Sequence, residues 1–195
     1  MRQGTRITLA FAAVHLALGM IAARADGFTV DESIGGAAYR GDFANTGSAP
    51  RFQIGGTYMH RDWGVSVFGV GLAPGFGYID CYGSECAYAA KPVDGFGIFG
   101  TDVKKTFTLL GDLSRWRGRI DMVLHGGPRY FWGSDNIDGY TGPGLGGGAG
   151  IDFDMYVIGA YVDFGVDTTV MHRKDSPELA GSLPYVVFGA RMGWM

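Results

Sequence analysis

Charged residues are scarce in this chain, at 18% of its 195 residues. A small soluble domain usually carries about 25–35% Lys, Arg, Glu and Asp on its surface, so this composition does not indicate a largely water-exposed surface. Long hydrophobic runs are also missing, because no uninterrupted apolar stretch of about 20 residues follows the N-terminal segment. The sequence therefore excludes transmembrane helices beyond its first residues.

The N-terminal segment has the pattern of a secretory signal peptide. A basic start precedes apolar residues 7–23, and the triplet Ala23-Arg24-Ala25 is a small-x-small cleavage site. We expect cleavage after this triplet; the alternative is an uncleaved membrane anchor. The predicted organisation is a signal peptide at residues 1–25 and one domain at residues 26–195.

The predicted mature domain is acidic. Of the 16 basic residues, Arg2, Arg6 and Arg24 belong to the signal peptide, which leaves 13 against 19 acidic residues and a net charge of −6. Nucleic-acid binding requires an excess of positive charge, which this domain lacks, so we predict no nucleic-acid partner.

Cysteine is nearly absent, with only Cys81 and Cys86. In an exported protein a close pair of cysteines indicates a disulfide bond, which we predict here. A metal site would need more ligands, and His60, His125 and His172 lie in other segments. We therefore predict neither a metal nor a cofactor.

Glycine, by contrast, is abundant, with 35 residues, and 14% of the chain is aromatic. There is no Gly-X-Y repeat, so a collagen is excluded. In residues 145–153 one parity is apolar and the other holds glycine and aspartate, and residues 156–167 and 185–194 alternate in a similar way. A period of two is the period of a strand. Strands with an apolar outside and a small or polar inside are typical of a membrane-spanning barrel.

Eight strands are predicted along the mature chain. In chain order they cover about residues 30–42, 51–60, 63–72, 95–110, 119–132, 145–153, 156–170 and 183–194. The connections after the second and sixth strands are very short and the one after the fourth is moderate, whereas the others are longer. Alternately short and long connections indicate an all-β, antiparallel, up-and-down transmembrane β-barrel. The pattern does not assign the faces of the first strand.

On this pattern the chain resembles the small eight-stranded outer-membrane proteins of Gram-negative bacteria, the family of the OmpA transmembrane domain and OmpX. In that family the last strand ends in an aromatic residue that the insertion machinery recognises. Here Phe188 and Trp194 lie on the apolar parity of the last strand, and Met195 follows. The resemblance implies a bacterial outer-membrane location, with outer-membrane lipid and the insertion machinery as partners.

Charged residues on the polar parities form a predicted interior network. They are Arg119, Asp121, His125, Arg129, Asp152, Asp163, Asp167 and Arg191, with Asp102 and Lys104 in addition. Buried charges persist when they are paired, and both signs are present, so we predict a salt-bridged plug. The alternative is a catalytic cluster in which His125 is the base and Asp121 or Asp152 orients it. We predict the structural network and no catalytic residue.

Aromatic residues near strand ends form predicted membrane-interface girdles. They are Trp63, Tyr130, Trp132, Tyr156 and Trp194.

The glycines Gly142, Gly144 and Gly147 fit the pattern G-x-G-x-x-G, which superficially matches a dinucleotide-binding motif. That motif needs a strand before it and a helix after it, whereas a period-two strand follows here. We interpret these glycines as relief of crowding in a narrow barrel.

The predicted function is that of an outer-membrane barrel protein with a filled polar interior, too narrow to be a wide porin. Its role would be structural, or an interaction with a surface ligand, not identified, through the long loops. Two alternatives remain: a barrel enzyme that modifies lipid, and a soluble exported barrel of lipocalin type. The lipocalin type would need an apolar interior.

Overall fold

The computed structural model describes residues 27–43, 47–72, 78–82, 85–89, 95–113, 118–134, 137–155 and 158–193. These residues are almost entirely β-strand. The strands are β1 (Phe28–Ala38), β2 (Arg40–Gly41), β3 (Ser48–His60), β4 (Trp63–Leu72), β5 (Tyr78–Tyr82), β6 (Glu85–Ala89), β7 (Gly95–Leu113), β8 (Gly118–Ser134), β9 (Thr141–Met155), β10 (Ile158–Met171) and β11 (Leu179–Gly193). No helix within the described ranges is long and apolar enough to span a membrane.

Eight of the strands form one closed antiparallel sheet. Their order is β1-β3-β4-β7-β8-β9-β10-β11, and β1 also pairs with β11, which closes the barrel. The short β2 pairs with the start of β11, and β5 and β6 form a separate hairpin. The prediction of an all-β, eight-stranded antiparallel barrel is confirmed.

The two ends of the barrel differ in the length of their connections. The turn end has the connections at residues 61–62, 114–117 and 156–157, together with the start of β1 and the end of β11. The loop end has the connections at residues 39–47, 73–94, 135–140 and 172–178. This asymmetry is typical of outer-membrane barrels.

Alternate residues of each barrel strand face the lumen and the outside. On β8, Asp121 and Arg129 are buried while Tyr130 and Trp132 are exposed. The outer face is rich in large exposed apolar side chains, among them Ile34, Phe52, Val65, Val103, Leu124, Ile151, Phe164 and Phe188. Apolar surface of this extent marks a membrane or protein contact rather than a surface exposed to water.

The interior is divided into an apolar loop half and a charged turn half. Buried apolar side chains of the loop half include Phe68, Val70, Leu72, Phe96, Ile98, Phe131, Met171, Leu183 and Val187. Tyr39 and Phe43, from the connection after β1, pack on Phe96 with ring centroids 5.4 and 5.0 Å away. The prediction of a polar interior was therefore too simple. It relied on the Gly/Asp parity of β9 and β10, whereas strands such as β7 are apolar on both faces near the loop end.

Candidate functional site

Arg129 on β8 is the centre of the first group of interior charges. Its Nη1 lies 2.7 Å from Oδ1 of Asp102 on β7, and its Nε donates to Oδ1 of Asp167 on β10 at 2.8 Å. The Asp102 contact lies outside hydrogen-bond angles, so it is an ion pair only. Arg51 on β3 donates to the other oxygen of Asp167 at 2.7 Å. Four strands are thus joined through side chains that are almost completely buried.

His125 extends this group toward the turn end. Its Nδ1 lies 2.7 Å from Oδ2 of Asp102, and its Nε2 lies 3.0 and 3.1 Å from the two carboxylate oxygens of Asp163. A neutral imidazole has one N–H donor, so both contacts are hydrogen bonds only if an additional proton is held on the ring or on one acid. The Tyr185 hydroxyl also donates to Asp163, at 3.4 Å.

Glycines of β9 allow side chains of β8 to reach β10. A Cβ at Gly146 would collide with Asp167 and with the guanidinium of Arg129, and a Cβ at Gly148 would collide with the backbone of β10 and the His125 ring. Both glycines occupy lumen-facing positions of β9, which lies between β8 and β10. The Gly/Asp parity that the sequence shows is therefore what makes the ion pairs across β9 sterically possible.

Arg191 on β11 is the centre of a second group, nearer the turn end. Its Nε donates to Oδ1 of Asp31 at 2.8 Å and its Nη1 donates to Oδ2 of Asp152 at 2.7 Å, while Asp154 lies 3.6 Å from Nη1. Lys104 Nζ lies 3.7 Å from Asp31. Through Asp31, the second group also ties the first strand to the last.

Arg119 and Asp121 form an ion pair at the turn end, with Nε and Oδ2 2.5 Å apart. In the β8–β9 register they lie opposite Asp154 and Asp152 of the second group. The Asp121 side chain is 1% exposed and that of Arg119 is 41% exposed, so the pair lies at the mouth of the lumen. Oδ1 of Asp121 has no hydrogen-bond partner within the described part of the chain.

Little space remains between these groups. A void of about 30 Å³ lies between the first and second groups and is bordered by Ser66, Asp102, Lys104 and Tyr161. It has room for about one water molecule, but not for a substrate. Within the described residues, no group of three or more His, Cys, Asp and Glu side chains is placed to hold a metal ion.

The predicted interior residues all make ion-pair contacts in the lumen, where one group is centred on Arg129 and another on Arg191, with the Arg119–Asp121 pair beside the second. The carboxylates that flank His125 are Asp102 and Asp163, so the assignment of Asp121 or Asp152 as its orienting acid was wrong. Asp121 lies four residues from His125 along β8, about 13 Å in an extended strand, and Asp152 is bonded to Arg191.

Three charged residues were missing from the predicted network: Asp31, Arg51 and Asp154. Asp31 lies on the strand whose faces the sequence leaves unassigned. Arg51 is on the polar parity of its strand, but its partner Asp167 is 116 residues away and on a strand that is not adjacent. Asp154 continues the inward parity of Asp152, a signal that would have been enough to include it.

Three of the five predicted girdle aromatics lie in described residues. Trp63 is exposed at the first residue of β4, at the turn end, and Tyr130 and Trp132 are exposed near the loop end of β8. Lys105 Nζ lies 4.9 Å from the centre of the Trp63 ring. The remaining two, Tyr156 and Trp194, lie outside the described residues, as does the predicted signal peptide.

The predicted disulfide falls in the β5–β6 hairpin. Cys81 and Cys86 are paired in the backbone register of this hairpin. Directly opposed residues of antiparallel strands have Cα atoms about 4.5–5.5 Å apart, which is within the range that a disulfide spans. The disulfide itself stays a prediction.

The fold and the lumen together define a class: a closed eight-stranded antiparallel barrel with an apolar outer face and a filled interior. Among solved structures, the crystal structure of Neisserial surface protein A (NspA) matches the chain with a TM-score of 0.53 and 12% sequence identity, over 87% of this chain and 98% of that chain. The chain therefore has the fold of the small outer-membrane barrels. No protein-family profile and no curated protein matches it.

Proposed function

We propose that this chain is a bacterial outer-membrane protein, exported through its signal peptide. The observation that carries the proposal is the outer face, where large apolar side chains are exposed on all eight barrel strands. A bilayer covers such a face, whereas water would leave it as an aggregation surface. The fold similarity to NspA, the exposed aromatics at both ends and the signal-peptide pattern support the same location.

The proposed role is structural, or an interaction at the cell surface through the loop end, rather than transport. Contacts within the described loop-end residues order part of this surface. Oδ2 of Asp42 accepts from the backbone N–H of Ala180 at 2.8 Å, and β2 adds to the edge of β11. His172 and Glu178 lie 3.1 Å apart in the connection after β10. A preorganised surface loses less conformational entropy when a ligand binds.

Export and insertion complete the proposal. The signal peptide is removed after residue 25, and the aromatic residues Phe188 and Trp194 near the C-terminal end of the sequence are the feature that the insertion machinery recognises. Outer-membrane lipid is then the permanent partner of the outer face.

The proposed location is tested by expressing the full chain in a Gram-negative host. We expect the mature mass that follows cleavage after Ala25, and recovery in the outer-membrane fraction that requires detergent for extraction. An Ala25→Phe variant, which blocks the cleavage site, serves as the matched control and should remain unprocessed. Recovery of the processed wild-type protein in the soluble periplasmic fraction would contradict the proposal.

A further inference from the structure

The lumen side of the seam between β1 and β11 carries an ion pair near the turn end. Asp31 and Arg191 lie directly opposite each other in the backbone register, and Nε of Arg191 donates to Oδ1 of Asp31 at 2.8 Å. Their side chains are 7% and 11% exposed, so salt and water screen the attraction only weakly. The lumen-facing residues beside this pair are small: Thr29, Ser33, Gly189 and Gly193.

Each member of the pair is oriented by a strand outside the seam. Oδ2 of Asp31 accepts from the Thr57 hydroxyl of β3 at 2.5 Å, while Nη1 of Arg191 donates to Oδ2 of Asp152 on β9 at 2.7 Å. Gly159 of β10 lies opposite Arg191 and has no side chain, so the guanidinium can pass β10 to reach β9. The sheet of β1 and β3 and the sheet of β9 to β11 can therefore each present one half of the pair before the seam closes.

The alternation of faces leaves the register of the seam open. A slip of one residue is excluded, because it would turn Arg191 to the apolar outer face. A slip of two residues in either direction keeps every side chain on its own face, so the alternation does not oppose it. In the two slipped registers Arg191 lies opposite Thr29 or Ser33, and Asp31 lies opposite a glycine of β11.

We propose that Arg191 selects the register in which the barrel closes, by pairing with Asp31. The last barrel strand is thus matched to the first by a charged position rather than by its apolar residues. A slipped register draws the two charges apart inside a filled lumen, and a buried charge that loses its partner is strongly destabilising. Closure therefore stops at the register in which the two residues are opposed.

The proposal is tested by trapping the register of the seam with pairs of cysteines. All reporter pairs share Ala190→Cys: adding Glu32→Cys reports the native register, and adding Val30→Cys or Ile34→Cys reports one of the two slips. Directly opposed residues lie about 4.5–5.5 Å apart, within the reach of a disulfide, whereas diagonal neighbours lie about 7–8 Å apart, beyond that reach.

Each reporter pair is placed in the full chain with Cys81→Ser/Cys86→Ser, expressed in a Gram-negative host, extracted in mild detergent and oxidised with copper phenanthroline. Electrophoresis without reductant measures the crosslinked fraction. We expect Arg191→Met to raise the ratio of slipped to native crosslinks at least about fivefold, because the ion pair no longer favours the native register. Arg129→Met is the matched control and should leave the ratio unchanged, because its ion pairs join β7, β8 and β10.

Two further variants decide the outcome if Arg191→Met does not assemble. Asp31→Asn removes the other partner and should also raise the slipped crosslinks. Arg191→Lys retains the positive charge and should keep the ratio close to that of wild type. An unchanged ratio in whichever of Arg191→Met and Asp31→Asn assembles would overturn the proposal. An equal rise in Arg129→Met would overturn it as well, because the slip would then follow from a general loss of stability.

Discussion

Arg129 connects three strands of the barrel through side chains alone, because it lies on β8 and contacts Asp102 on β7 and Asp167 on β10. Breaking one member of a buried ion pair leaves an unpaired charge and costs about 3–5 kcal/mol. We therefore expect Arg129→Met to lower the free energy of unfolding in detergent by about this amount. Adding Asp102→Asn should restore part of the loss, since Asp102 is one of the two acids that lose Arg129 and keeps only His125 as a partner.

Asp152 provides the control for this cycle. It is bonded to Arg191 and shares no partner with Arg129, so the losses from Arg129→Met and Asp152→Asn should be additive. A single network of all the interior charges, as predicted from the sequence, would instead make the two losses non-additive. Additive losses in the Arg129→Met/Asp102→Asn variant as well would show that the first group does not act as an ion-paired unit.

Substitution of Gly148 tests the steric role of a single lumen-facing glycine. A Cβ there would collide with the backbone of β10 and the His125 ring, whereas a Cβ at Gly36 would meet a backbone oxygen only at 3.9 Å. Gly148→Ala should therefore destabilise the barrel by about 1–3 kcal/mol through overpacking, and Gly36→Ala should cost almost nothing. Equal unfolding midpoints for the two variants would refute this account of the inward glycines.

At the scale of the element, β9 and β10 have the clearest alternation of faces. Ile151 and Val162 point outward and are paired in register. Ile151→Arg or Val162→Arg should each lower barrel stability in bilayers by about 2–4 kcal/mol, because a cation near the bilayer midplane is costly. Folding into vesicles, followed by heat-dependent electrophoretic mobility, measures this. Normal insertion of both variants, with wild-type stability, would mean that Ile151 and Val162 do not face lipid.

The β5–β6 hairpin gives a second element-scale prediction. We expect Cys81 and Cys86 to be joined by a disulfide, because the backbone register places them opposite each other. The bond closes a small loop, so reduction should lower global stability by only about 2 kcal/mol. Alkylation of unreduced protein isolated from cells should find no free thiol; recovery of two labelled cysteines would rule the bond out.

How well each element could be predicted from the sequence depends on how its two faces differ. β9 and β10 alternate between apolar and Gly/Asp positions, so their faces and approximate bounds were predictable. On β1, Glu32 shares its parity with Val30 and Ile34, so the faces of that strand could not be assigned.

Near the loop end the two faces of a strand can both be apolar. Phe96 and Ile98 line the lumen while Phe99 faces outward, so the sequence could not reveal the apolar loop half. Partners across the lumen depend on barrel closure and register, which place Arg51 of β3 against Asp167 of β10. Alternation along single strands contains no information about such distances.

At the scale of the whole molecule, two layers of side chains close the lumen. Apolar side chains that include Tyr39 and Phe43 close the loop half, and ion pairs fill the turn half. In planar bilayers we expect no stepwise conductance from wild type, and none from Phe43→Ala, because the ion-paired layer remains. Reproducible current steps from wild type that scale with salt concentration would identify the interior as a hydrated pore.

The seam of the barrel joins its first and last strands, with Thr29 paired to Gly193. Hydrogen bonds between residues this far apart in sequence form late, because loop closure over nearly the whole chain must come first. Until the last strand arrives, β1 presents an open edge of unpaired amide and carbonyl groups, which is a template for aggregation. On the proposed outer-membrane location, we expect the polypeptide to cross the periplasm unfolded and bound to a chaperone, and pairing of its last strand to complete the barrel.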